Sequence, residues 1–326
     1  MSYKTLIVPT HPGTQYHFCR VGLPTYFLGH WDQFQYWRPQ LDNVHNLLPA
    51  FEDAHLEYGL ADFARLLDRK GPFVGGMRFP EDFDLVWLMF TWQFELFRER
   101  RSIRKLYHVA KIEELSPEEW EELLSRDDFS VACLYPNTVA WVKEKFGVDV
   151  PYIPIGLDPQ AYGPYTGEDV TVLSVIHSWK DRGWNHATWA EATQGLPTTH
   201  VDHLDPEKPV YRYEDILRVM RRSRLYVHDG EQEYTITLIE ALMTGMPIVS
   251  FRLPGIERYV EHGKNGFVID DAAGLREACE LLLHDAPLAA KMGAHSRAIA
   301  VRDYDEARWR RDWITTVERF VGPRQA

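Results

Sequence analysis

Cysteine is scarce in this chain: Cys19, Cys133 and Cys279 are the only three in 326 residues. They are far apart and odd in number. Neither a disulfide framework nor a zinc-binding spacing is visible, and the chain reads as intracellular. Positive charge is also in deficit. Lys and Arg total 36 against 48 Asp and Glu, a net charge of -12, with a pI near 5.6. That balance argues against nucleic acid and against an anionic membrane surface, both of which want basic patches. The cluster from Arg98 to Lys105 is a local exception. No apolar run approaches the ~18 residues of a membrane span. Met1 to Thr5 leads straight into a strand-like run without signal-peptide architecture. The expectation is a cytoplasmic protein with no integral membrane segment.

What is present is an ordinary globular composition, 45% hydrophobic and 26% charged, long enough for about two domains. Strand-like and helix-like runs alternate, the signature of parallel α/β sheets. In the first half, strands are expected at Thr5–Thr10, Asp84–Phe90, Lys105–Val109 and Ser130–Leu134. Helices are expected at Leu56–Leu67 (Leu60, Phe63 and Leu67 on one face), Phe94–Arg101 and, after an Asn137 cap, Thr138–Phe146. Ser116-Pro117-Glu118-Glu119 has the cap, proline and third-position glutamate of a clean helix start. His11-Pro12-Gly13-Thr14 reads as a glycine-containing loop after the first strand, where open α/β sheets bind ligands. A plain turn is the other reading of Gly13.

Pro159, Gly163, Pro164 and Gly167 punctuate a connector, which places a hinge near residues 158 to 168. Beyond it, Val170–Ile176 is strongly β-branched and leads into a mixed-charge loop, His177 to Gly183. Tyr213–Ser223, Leu275–Leu283, Pro287–Ala300 and Tyr304–Phe320 are expected helices.

The centre of the second half is Glu231 to Gly245. Ser223–His228 before it and Pro247–Phe251 after it are strands, so the whole is one βαβ unit. The helix starts at Thr235 or Thr237. Thr237 with Glu240 has the spacing of a capping box. Leu238, Ile239, Leu242 and Met243 make an apolar face, and Gly245 followed by Pro247 makes a fitting stop. Amides at such a helix start favour an anion such as phosphate. The carboxylates around it accept hydrogen bonds from sugar hydroxyls. For Glu240 the plainer reading is a cap and nothing more.

Glu240-Ala241-Leu242 and Gly245-Met246-Pro247-Ile248-Val249 resemble the donor site of the retaining glycosyltransferases of family 4, whose pattern is Glu, seven residues, Glu. Gln232 stands where the first glutamate belongs, flanked by Glu231 and Glu233. The segment Val150–Asp158, the loop Leu253–Glu257 and the run Asn265–Ile269 resemble further family segments. The resemblance covers roughly residues 130 to 320. It implies a GT-B architecture: two Rossmann-like α/β domains with parallel sheets and a cleft between them. The expected division is 1–158 on the acceptor side, 159–303 for the nucleotide sugar, and a C-terminal helix, 304–326, crossing back.

The resemblance also implies roles. Lys180, Arg182 and His177 fall in the loop that clamps the donor diphosphate, with cations placed where leaving-group charge grows. Glu240 falls at the ribose contact. Glu231, Gln232 and Glu233, with the backbone of Tyr234, Thr235, Ile236 and Thr237, fall around the sugar. His108 falls where family members meet donor sugar or acceptor, and a histidine satisfied by neighbouring backbone is an equal reading. The expected activity is transfer from a UDP- or GDP-sugar to a small-molecule or glycan acceptor with retention. No cofactor and no metal are expected, because two cations already neutralise the phosphates. The alternatives are a nucleotide-sugar epimerase or hydrolase using His108, and a non-catalytic binding protein suggested by Gln232.

Overall fold

Helices and strands alternate because runs such as Leu85–Leu88, apolar at every position, need cover on both faces. The computed structural model describes residues 3–10, 12–34, 38–50, 59–110, 112–176, 186–202, 212–228 and 234–322. They form two compact units. One comprises Met1–Gly156 with Ala307–Ala326, the other Leu157–Glu306.

The first unit carries β1 (Thr5–Ile7), β2 (Thr25–Phe27), β3 (Val44–Asn46), β4 (Leu85–Leu88), β5 (Arg104–Val109) and β6 (Phe129–Cys133). Their order is β3-β2-β1-β4-β5-β6, and each pairing is parallel. This is the doubly wound dinucleotide-binding order, which reverses direction between β1 and β4. Two glutamines fix the loops at that reversal. Gln15 Nε2 and Gln93 Nε2 both donate to the Val8 carbonyl, at 2.6 and 3.0 Å. Their amide oxygens accept from Thr10 N and from Met89 N, at 2.8 and 2.7 Å. Both side chains are fully buried. They satisfy backbone groups that strand ends would otherwise leave open.

Several expected boundaries move. Gly13 does not lie in a loop; it is in the first turn of the helix Pro12–Cys19. The helix expected from Leu56 runs over Leu60–Leu67 among the described residues. Leu60 is 46% exposed, so Phe63 and Leu67 carry the inward face, with Ala64 and Leu66 partly buried against the core. The helix placed at Phe94–Arg101 is Thr91–Phe97, entered three residues earlier because Gln93 caps Met89 and Phe90. The Asn137 cap is not used: helix Pro136–Phe146 starts after Tyr135 with proline in its first turn. The Ser116–Glu119 capping box forms as expected. Ser116 Oγ accepts from Glu119 N at 3.2 Å, and Glu119 accepts from Ser116 N at 2.7 Å.

Most of the basic cluster Arg98 to Lys105 is engaged, Arg101 being exposed. Arg98 pairs with Glu122, Arg100 with Asp68 and Lys105 with Asp128. Arg104 donates to the Phe320 carbonyl.

The second unit carries β7 (Asp169–Val175), β8 (Thr198–Val201), β9 (Ser223–His228), β10 (Ile248–Phe251) and β11 (Gly266–Ile269). The order is β11-β10-β9-β7-β8, again parallel throughout. The reversal falls between β7 and β9, where Leu173 lies opposite Tyr226. The two loops leaving these strands therefore start side by side. Val172, Leu225, Val227, Val249, Leu275 and Leu282 centre the core.

The helices expected over Pro287–Ala300 and Tyr304–Phe320 are Ala286–Tyr304 and Glu306–Val321, and the break between them falls at Asp305 rather than before Tyr304. The break has a backbone cause. Leu157 N donates to Tyr304 O at 2.8 Å, and Glu306 N donates back to Leu157 O at 3.1 Å. Asp305 is thereby drawn into an isolated parallel bridge with Leu157. From Ala307 the chain belongs to the first unit, where Trp309, Trp313 and Val317 are buried.

Candidate functional site

β9 is buried at every position, as is β10, and the helix Ile236–Thr244 lies between them in the chain. Its N-cap is Thr235, whose Oγ accepts from Leu238 N at 3.0 Å. The capping box read from Thr237 and Glu240 does not form. Starting the helix at Ile236 puts Glu240 in its second turn, beyond reach of the cap position. With Thr235 bonded to Leu238, the amides of Ile236 and Thr237 have no intrahelical acceptor. Thr235, Ile236 and Thr237 are only half-buried, so this first turn is accessible. Tyr234 is buried, its ring 6.0 Å from Tyr259.

From Leu238 to Thr244 every residue is buried. Glu240 is among them, 6% exposed. Side chains on a helix lean toward its N-terminus, so Glu240 leans toward the open turn. Its Oε1 accepts a hydrogen bond of 2.9 Å from Tyr162 Oη, and Tyr162 Oη lies 2.5 Å from Tyr213 Oη. A carboxylate one turn from the amides of a half-buried helix start suits a ligand that carries an anion and hydroxyls together.

The far end of the helix is pinned. Gly245 caps it with φ of 90°, and its N–H reaches Ala241 and Leu242, a left-handed position that glycine adopts without cost. Gly293 of the helix Ala286–Tyr304 crosses here. A Cβ on Gly293 would stand 2.0 Å from the Gly245 carbonyl oxygen, so only glycine lets the two backbones meet.

Of the residues singled out from the sequence, Tyr234, Thr235, Ile236, Thr237 and Glu240 gather at this helix start. Glu231, Gln232, Glu233, His177, Lys180 and Arg182 lie outside the described residues. His108 is a different case. It is 4% exposed, its Nε2 lies 3.0 Å from the Ile153 carbonyl, and its ring meets Trp313 edge-on at 4.8 Å. Burial pulls its pKa down from 6.5 to about 4, against a smaller upward pull from the Ile153 carbonyl. These contacts match the reading of His108 as a histidine satisfied by neighbouring backbone. Gly13, expected in a loop, lies in the first turn of the helix Pro12–Cys19.

The sequence reading passed over two Asp-x-Asp segments. Asp82 accepts from Arg78 N at 2.8 Å and Asp84 from Lys4 N at 2.7 Å. Asp303 is paired with Arg302. These carboxylates serve local structure. Tyr162 and Tyr213 were also passed over. Only their positions in space reveal them, because no periodicity links residues so distant in the chain.

Comparison with known proteins bears on this same helix. Residues 208–298 match the family described as Glycosyl transferases group 1. The match takes in β9, the helix Ile236–Thr244 and both strands after it. An uncharacterized glycosyltransferase of Haemophilus influenzae is 24% identical over 171 residues, 45% of this chain. The match spans 48% of that relative's own length. Among solved structures, a glycosyltransferase from Rickettsia africae aligns over 98% of this chain and 99% of its own, with 13% identity and a TM-score of 0.66. Anabaena HepE in complex with UDP-glucose aligns over 97% and 100%, with 15% identity and a TM-score of 0.66. Sucrose-phosphate synthase from Thermosynechococcus elongatus aligns over 97% and 98%, with 12% identity and a TM-score of 0.68. The fold is GT-B. Both units are Rossmann-like, and the stretch with family-level sequence similarity lies in the second.

Proposed function

We propose that the protein is a glycosyltransferase that moves a sugar from a nucleotide diphosphate sugar to a small-molecule or glycan acceptor, retaining the anomeric configuration. The observation that carries this reading is the buried Glu240 beside the open first turn of its helix, inside the stretch that matches Glycosyl transferases group 1. In this reading the amides of that turn hold the sugar and diphosphate, and Glu240 accepts from the ribose hydroxyls. Lys180 and Arg182 follow β7, whose loop starts beside the loop of β9. They complete the diphosphate clamp. HepE, bound to UDP-glucose in its structure, supports a UDP-sugar donor.

The bond from C1 of the sugar to the diphosphate oxygen breaks. The acceptor oxygen bonds to C1 on the same face, and its proton passes to the departing diphosphate. Retention by this route needs no side-chain base. The epimerase or hydrolase alternative needs one, and its candidate, His108, is buried and bonded to backbone. A thermal-shift panel of nucleotide sugars tests the reading, since a ligand specific for the folded state raises apparent stability with concentration. Stabilisation by a UDP- or GDP-sugar, followed by transfer with retention, is the expected result. No stabilisation by any member of the panel would sink it.

Two predictions belong to this mechanism. Arg182→Ala is expected to weaken donor binding by about 1–3 kcal/mol, the scale of one charge-assisted hydrogen bond. Titration calorimetry reads this directly, and unchanged affinity removes Arg182 from the clamp. Because two cations serve the phosphates, transfer is expected to continue at an undiminished rate in excess EDTA. Loss of activity, restored by a divalent cation, would reject metal independence.

A further inference from the structure

Glu240 is held by two hydroxyls in series. Tyr162 Oη donates to Glu240 Oε1 at 2.9 Å. A phenol has a single proton, and Tyr162 commits its own to the carboxylate. The 2.5 Å contact with Tyr213 must therefore run the other way, with Tyr213 donating and Tyr162 accepting. A hydrogen bond received by Tyr162 polarises its O–H and strengthens the bond it gives. Tyr162 is 0% exposed and Tyr213 is 6% exposed, so little water competes for either.

The frame around the relay is fixed by backbone contacts. Tyr162 ends the short helix Pro159–Tyr162, which Asp158 caps through Gln160 N at 2.9 Å. Arg297 donates to both the Pro159 and Met243 carbonyls, joining that short helix to the one carrying Glu240. Arg221 donates to Ala161 O, joining it to the helix Tyr213–Arg222, which Tyr213 begins.

We propose that Tyr162 and Tyr213 are positioning residues that orient the Glu240 carboxylate for the ribose diol of the donor nucleotide, and that they set preference for ribose over deoxyribose. The inference rests on the reading of Glu240 as the ribose contact. A free glutamate surrenders three rotatable bonds on binding, whereas one held by the relay has already lost them. The effect is confined to hydroxyls that Glu240 receives. It does not extend to the phosphates or the base.

The test compares UDP and GDP with their 2′,3′-dideoxy forms by titration calorimetry on the full chain. Wild type is expected to prefer the ribose form by about tenfold or more, the worth of hydrogen bonds to a charged acceptor. Tyr162→Phe is expected to weaken the ribose form by about five- to tenfold and to leave the dideoxy form unchanged, collapsing the preference. Tyr213→Phe, acting through Tyr162, is expected to do the same more weakly. In Glu240→Gln the preference is lost, and adding Tyr162→Phe changes nothing further. Should Tyr162→Phe fail to fold, Tyr213→Phe carries the comparison, with its thermal melt as control. An undiminished preference in the folded variants overturns the relay, as does equal weakening of both ligand forms. A wild type that binds nucleotide without any preference for ribose removes Glu240 from the ribose, and the relay with it.

Discussion

Asp128→Ala is expected to cost the first unit about 3–5 kcal/mol, the scale for stripping one partner from a buried ion pair. Lys105 Nζ lies 2.5 Å from Asp128 Oδ2, and the Lys105 side chain is 0% exposed. Arg126 grips the same carboxylate with two bonds of 2.8 Å, from Nε and Nη2. It also reaches Glu122 at 2.7 Å. Both cations lie over the Phe129 ring, at 5.0 and 4.7 Å. Burial by itself would raise the Asp128 carboxyl. The bonds from Arg126 and Lys105 outweigh it and hold the pKa well below the usual carboxylate range. The contribution is therefore present above the unfolded carboxylate value, about 3.9, and lost as pH falls toward the folded value.

For Lys105, burial is the larger influence and lowers its pKa despite Asp128. Without Asp128 the ammonium must be buried unpaired or give up its proton, and either is costly. Removing both charges with Lys105→Met and Asp128→Leu is expected to recover a good part of the loss, because apolar residues of similar volume replace buried pairs at little cost. Urea denaturation measures both variants. A single variant losing under about 1 kcal/mol, or a double variant no better than the single, would refute the account.

Stability of the first unit is expected to fall by about 3 kcal/mol between pH 7 and pH 4 on account of His108 alone, at about 1.4 kcal/mol for each pH unit between the unfolded and folded values. The Ile153 carbonyl can only accept, so the proton of neutral His108 sits on Nε2. Nδ1 is buried with no hydrogen-bond partner among the described residues, and the rings of Trp87 and Trp313 pack against the imidazole. A second proton would bury a charged N–H among indoles. Burial accordingly drives the folded pKa to about 4 from 6.5. The sign follows. Above 6.5 neither state binds the proton. Between 6.5 and 4 the unfolded chain binds it and the folded chain does not, so unfolding gains as pH drops. Below 4 both states are protonated and the slope ends. His108→Phe is expected to flatten the profile over that window relative to wild type. Parallel wild-type and variant profiles would show that His108 does not supply the slope.

Much of this architecture is legible without coordinates, because its signals are local. The βαβ unit around Glu240 announces itself through β-branched runs, a threonine cap and a glycine stop. Its strands fall at Ser223–His228 and Ile248–Phe251, close to expectation. Ser116–Glu119 likewise specifies its own helix start. Local signals also compete, and sequence cannot rank them. Thr235 and Thr237 are both plausible caps, and the buried Leu238 and Ile239 settle the frame in favour of Thr235. The break between the last two helices is expected before Tyr304, and a backbone pairing with distant Leu157 sets it at Asp305.

The sequence by itself determined the alternating parallel architecture and the helix whose start carries Glu240, since propensity, capping and periodicity act within a few residues. Only tertiary structure decided what meets Glu240 and His108. Tyr162 reaches Glu240 across 78 residues, and Ile153 reaches His108 across 45. Such contacts arise from how the sheets bring helices together, and the desolvation that gives each group its chemistry exists only once the chain has closed around it.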